Sequence, residues 1–237
     1  MRHAVISLGL TLALFAQTAP NDAVANWFPV HVGDKWIYWH ESRDDIGDAG
    51  YRDGRIIGGS LQVAIWETEE TTTGVWTVPE GTLVGRHVRV SGGSPSPDYQ
   101  MNAPDHAYLI RGNCLYSTEV GWNPVNHNLT NEFLEEMAAG HLSPDFCFPL
   151  LVGTTWGAPH FMDWRSAADA KDWKVAGVDD KRTTFHVTSV SSYLGSGMTA
   201  EIWFERGVGI VRDEVIHHGT VDEDRSQLVR FEPAPQK

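Results

Sequence analysis

Long apolar runs are nearly absent from this 237-residue sequence. The one stretch that qualifies, Ala4 to Ala16, falls short of the roughly 20 residues that cross a bilayer as a helix, so no transmembrane anchor is expected. Basic residues are also few. Against 31 Asp and Glu stand 18 Lys and Arg, a formal net charge of −13, whereas nucleic acid and anionic membrane surfaces demand clustered Lys and Arg. Cysteine occurs twice, as Cys114 and Cys147, and no CxxC or neighbouring His pair completes a zinc set. Asp44-Asp45 and Asp179-Asp180 lack the alternating oxygen ligands of a calcium loop. There is no GxSxG elbow, HExxH, P-loop or dinucleotide glycine fingerprint, and no cofactor is expected.

What is present begins with a leader. Met1-Arg2-His3 is a short basic start, Ala4 to Ala16 an apolar centre, and Ala23-Val24-Ala25 an A-x-A cleavage site. No Cys follows the apolar run, so a bacterial lipid-anchor site is missing. We read residues 1–25 as a signal peptide and the mature chain, starting near Asn26, as exported to the periplasm or the extracellular space. Losing Arg2 and Asp22 together leaves the net charge unchanged. Two cysteines in an oxidising compartment favour a Cys114–Cys147 disulfide, which would stabilise the fold by roughly 3–4 kcal/mol on the chain-entropy model. Two separate buried thiols are the alternative.

One nine-residue stretch is written twice. Phe28-Pro29-Val30-His31-Val32-Gly33-Asp34-Lys35-Trp36 returns as Phe148-Pro149-Leu150-Leu151-Val152-Gly153-Thr154-Thr155-Trp156. Each copy reads as a strand entry: a Pro that needs no ladder N–H, a turn Gly, then a Trp pointing into a core. Leu61 to Trp66, Val84 to Val90, Thr183 to Val190, Thr199 to Glu205, Val208 to Ile216 and Gln227 to Phe231 have strand length and β-rich composition. Ala107 to Ile110 and Cys114 to Thr118 form a hairpin around Arg111-Gly112-Asn113, and Gly207 turns another. Glu67 to Gly74 reads as a turn, and Ser91 to Pro97 as a flexible connection. A short helix follows Thr130 or Asn131 and stops at Gly140. The fold class expected is all-β: a mostly antiparallel curved sheet, half-barrel or sandwich, with one short helix in a mid-chain insert. We expect one domain over 26–232, with related halves at about 26–112 and 146–232, an insert at 113–145 and a tail at 233–237.

Those motifs resemble a family of secreted bacterial β-rich domains of uncharacterised activity. Its members open on Phe-Pro-Leu-x-x-Gly-x-x-Trp-x-Tyr, often repeat it mid-chain, and close on a Trp-Phe-x-x-Gly-Val-Gly-x-Val hairpin. Phe28 to Tyr38 is similar to the opening, Phe148 to Trp156 to the repeat, and Trp203 to Val211 to the closing hairpin. Val78-Pro79-Glu80-Gly81-Thr82 looks like the family's Val-Pro-Ala-Gly-Thr element, but it precedes the second copy instead of following it. The cysteine-bearing insert is a further departure. The resemblance implies an envelope or extracellular β domain and no catalytic residues, because its motifs are turns and core aromatics.

Candidate chemistry is sparse. His217-His218 face opposite sides of a strand and cannot easily share an ion. His31 and His40 lie near the strand entry, His186 reads as solvent-facing, and no metal site is expected. Carbohydrate hydrolysis needs two carboxylates about 5–10 Å apart in a cleft. Glu201, Glu205, Asp213 and Glu214 flank the closing hairpin, where acids are usually solvated. Of the ten tryptophans, Trp36, Trp156 and Trp203 are expected in the core. Trp122, Trp164 and Trp173 lie in polar, loop-like surroundings and are candidates for a ligand platform; capping the open end of a sheet is the alternative. The expected function is non-enzymatic binding of a small molecule, a glycan or an envelope protein. The alternative is a secreted hydrolase acting on carbohydrate.

Overall fold

A computed structural model describes residues 24–46, 50–52, 55–57, 60–95, 105–118, 121–142, 144–150, 152–153, 155–156, 172–179, 184–193, 196–217 and 223–235. From the N-terminus the elements are β1 (Lys35–Ile46), β2 (Gly50–Arg52), β3 (Arg55–Ile57), β4 (Ser60–Val78), β5 (Gly81–Ser94), β6 (His106–Arg111), β7 (Cys114–Ser117), β8 (Trp122–Asn123) and β9 (Asn128–Leu129). Helix α1 (Asn131–Ala138) precedes β10 (Phe146–Cys147), β11 (Thr155–Trp156), β12 (Asp172–Asp179), β13 (Thr184–Tyr193), β14 (Ser196–Glu205), β15 (Gly209–His217) and β16 (Glu223–Glu232). One antiparallel 12-stranded sheet runs β10-β7-β6-β5-β4-β1-β16-β15-β14-β13-β12-β11. Its midline is the β1·β16 pair, which joins the first and last of the described strands. The expected all-β, mostly antiparallel architecture is observed, as one continuous sheet.

The Glu67 to Gly74 segment is not a turn. It lies inside β4, where Thr68 and Thr72 are buried and Glu67 and Thr73 are exposed. β-branched Thr suits a pleated surface, and that alternation outweighs the polarity of the run. Bulges at Glu67/Thr68 and Thr72/Gly74 add twist to the long strand. Ser91 to Ser94 likewise continue β5: Ser91 is the extra residue of the bulge, and Gly92 to Ser94 pair with Ile65–Glu67, with Gly93 in the left-handed region (φ 75°).

The sheet curls into a half-barrel. Phe146 on β10 and Phe204 on β14 have ring centroids 5.0 Å apart, yet their strands are first and ninth in the sheet order. Flat strands that far apart would lie about 38 Å from one another at ~4.8 Å per step. Phe28 and Phe148 fill the enclosed side, with Phe148 5.5 Å from Phe204. Both copies of the repeated stretch therefore bury their Phe in one core, and both turn on a left-handed Gly (Gly33 φ 94°, Gly153 φ 87°). Trp203 departs from expectation: it is half-buried beneath the Arg212 guanidinium (4.5 Å), and Phe204 takes the core position.

The convex side of β6 and β7 has its own cluster, in which Leu109 packs with Phe133 and Met137 of α1. Thr130 caps that helix by accepting from the Phe133 N–H at 3.3 Å, and Gly140 follows it at φ 74°. The Cys114–Cys147 disulfide is formed between directly paired residues of β7 and β10. It ties the return of the insert to the sheet edge. Among the described residues no helix is long and apolar enough to cross a membrane.

Candidate ligand cavity

The β15·β16 pairing ends at Arg212↔Gln227. Beyond it β16 stays with β1 while β15 stays with β14, so carbonyls of the 208–210 segment are freed. Side chains of β1 take them: the Trp36 indole N–H donates to the Val208 carbonyl at 2.7 Å, and the Tyr38 hydroxyl to the Ile210 carbonyl at 2.8 Å. Behind these two bonds, on the concave face, lies a cavity of about 120 Å³. Phe28, Trp36, Tyr108 and Ile210 give it apolar walls; His40, Glu70, Arg86, Asp213 and Ser226 give it polar ones.

Arg86 is the unusual member. It is 3% exposed, and its guanidinium lies 3.8 Å from the Trp36 ring centroid, 4.3 Å from Phe28 and 5.0 Å from Tyr108. Such stacking favours a cation, particularly one stripped of water. Nη1 donates to Glu70 Oε2 at 3.2 Å. Nε and Nη2 are buried and have no partner among the described residues.

Burial dominates the electrostatics of the other groups. It pushes the Asp213 carboxyl up to about 6, with the Glu70 and Asp224 charges adding to the effect and a 2.9 Å hydrogen bond from Ser226 Oγ opposing it. It lowers His40 to about 4, Glu70 pulling weakly the other way. His40 is therefore a neutral imidazole at pH 7, held 2.8 Å from Thr68 Oγ1 and stacked on Trp66 at 5.0 Å. Burial also raises the Tyr38 hydroxyl well above its usual range.

Of the tryptophans expected from sequence to form a ligand platform, one has a described side chain. Trp122 is not part of the cavity wall. It is half-buried, 6.1 Å from Trp76, and covers Gly85, where a Cβ would lie 3.0 Å from its ring. Trp173 lies on β12 opposite Trp156, and Trp164 lies outside the described residues. Of the four acids, Asp213 alone lines the cavity. Glu214, on the opposite face, is buried between Arg212 and Arg225. The expectation that acids of the closing hairpin are solvated is thus overturned for Asp213 and Glu214, because the curl encloses one and two arginines cover the other. His31 is largely exposed beside Asp34, His40 is in the cavity, His186 pairs with Gly177 and Trp203, and His218 lies outside the described residues. Among the described residues no three His, Cys, Asp or Glu gather as metal ligands.

Arg86, Glu70 and Tyr38 were not singled out from the sequence. Their signal is parity. Arg86 shares its side of β5 with buried Val84 and Val88, and Tyr38 shares its side of β1 with Trp36. A charged residue at an inward position of an apolar strand is the informative observation.

No protein-family model matches the chain, and no curated protein matches it in sequence. Among solved structures, a "putative lipoprotein" from Parabacteroides distasonis aligns at 14% identity over 86% of this chain and 97% of its own, with a TM-score of 0.39. A "putative exported protein with YmcC-like fold" from Bacteroides fragilis aligns at 11% identity over 87% of this chain and 99% of its own, with a TM-score of 0.42.

Proposed function

We propose that this protein is an exported, non-enzymatic β domain of the bacterial envelope or extracellular space that binds a small molecule in the concave-face cavity. One observation carries the reading: charged side chains are kept inside an aromatic-walled cavity where an apolar filling would serve stability as well or better. The leader supports export, and the two related halves supply the curved sheet on which the cavity is built. A small molecule fits better than a glycan or an envelope protein. The volume of about 120 Å³ is far below the roughly 300 Å³ at which sites for drug-sized ligands begin.

The test is a fragment screen by NMR on the full chain, joined to native mass spectrometry of protein taken from its exporting host. We expect an adduct lost on denaturation, and fragments that shift the Trp36 indole resonance. Hits confined to other surfaces, with a bare polypeptide in the native spectrum, would remove the proposal. Carbohydrate hydrolysis keeps one observation in its favour, because Glu70 and Asp213 border one cavity and Asp213 holds its proton up to about 6. Against it, Glu70 is committed to Arg86, and two sugar rings need more room. Sugar release that Asp213→Asn abolishes would establish this second reading.

A further inference from the structure

We propose that the cavity takes the carboxylate of a small ligand, seated side-on against the Nε and Nη2 edge of Arg86. This rests on the ligand-binding reading above. The guanidinium is planar, and Nε–H and one N–H of Nη2 leave one edge in parallel, spaced for two carboxylate oxygens. Both donors are buried and have no partner among the described residues, on a side chain 3% exposed that lines the cavity, so a carboxylate reaches them by displacing the side chains that cover the edge.

The guanidinium carbon lies 3.8, 4.3 and 5.0 Å from the ring centroids of Trp36, Phe28 and Tyr108, and Glu70 holds Nη1. The two protein carboxylates of the cavity do not supply the missing acceptor: Glu70 is engaged at Nη1 and Asp213 accepts from Ser226. Leaving charged donors buried and unmatched is costly, so the edge is built for an anion that arrives with the ligand. The size of the cavity restricts that ligand to a few carbons. An engineered apolar cavity of about 150 Å³ holds benzene, and this one is about 120 Å³. Phe28, Trp36 and Ile210 receive the hydrocarbon end.

Butyrate, butyramide and butylamine share one carbon skeleton and separate the possibilities. Each is titrated into the full-length ¹⁵N-labelled protein while the Arg86 Nε–Hε and Trp36 indole resonances are followed, with affinities taken by calorimetry. Butyrate should shift the Arg86 resonance saturably and bind at least about tenfold tighter than butyramide, which offers one acceptor and no charge. Arg86→Lys keeps the charge but not the fork, and should lose about the same factor. Should that variant not fold, the acid-against-amide comparison in the unaltered protein decides alone. Equal or tighter binding of the amide or the amine, with Trp36 responding, would overturn the carboxylate assignment and leave the cavity a binding site. If none of the three moves either resonance, both readings fall.

Discussion

His40 and Asp213 line one cavity, and burial shifts them in opposite directions along the pH scale. His40 falls from 6.5 to about 4, so the unfolded chain binds its proton more readily than the fold does. Its contribution to stability is present above 6.5 and is lost as pH falls through about 4. Asp213 rises from 3.8 to about 6, so the fold binds the proton more readily. Its contribution is complete below 3.8 and is lost as pH rises through about 6. Each is worth up to about 3 kcal/mol, at 1.36 kcal/mol per pH unit, and between about pH 4 and 6 the two nearly cancel. Substitution should unmask the survivor. Relative to the wild-type profile, His40→Gln should gain stability on acidification through this window, and Asp213→Asn should lose it. Urea unfolding at a series of pH values reads both slopes, and two variants that run parallel to the wild type would refute the pairing.

Elements were legible from sequence where their cause is local. The Arg111-Gly112-Asn113 hairpin, the Gly207 turn (φ 76°) and the Thr130-capped helix rest on chemistry within a few residues. The Glu67 to Gly74 part of β4 was misread because its polarity suggests a turn, whereas its strand character comes from β1 on one side and β5 on the other. The Cys114–Cys147 bond lies between these cases: compartment and parity of count suggested it, and the β7·β10 register forms it. It closes a separation of 33 residues that includes α1. Replacing both cysteines by Ala should lower stability by roughly 3–4 kcal/mol on the chain-entropy model. Most of that loss should appear as earlier opening of the insert. Hydrogen exchange of the α1 amides compared with those of β1 checks this, and equal protection changes in the two would argue against a local staple.

At the scale of the whole molecule, the cavity exists because the first and last described strands meet at β1·β16 and the sheet curls until β10 faces β14. Neither event has a local signature, which is why Arg86 passed as one residue in an apolar strand while its aromatic cover comes from three separate segments. Phe204 is 0% exposed and contacts both Phe146 and Phe148, so Phe204→Ala should cost about 3–5 kcal/mol in equilibrium unfolding. A loss below about 1 kcal/mol would show that the curl does not depend on this contact. The N-terminal segment belongs to the same closure. Val24 is 0% exposed within the concave core, its carbonyl accepts from the Trp27 and Phe28 amides, and the Asn26 carbonyl accepts from Gly207 N–H at 2.9 Å. A mature chain beginning at Asn26 would lack Val24 and its carbonyl, and with them the turn that seats Phe28 against the cavity. Burying a valine is worth about 1.5–3 kcal/mol, so a folded unit that includes it favours processing ahead of residue 24. If the chain is exported and processed as proposed, the intact mass of the mature protein should correspond to a start upstream of Val24. A mass beginning at Asn26 would instead show that Phe28 is held from the Gly207 side alone.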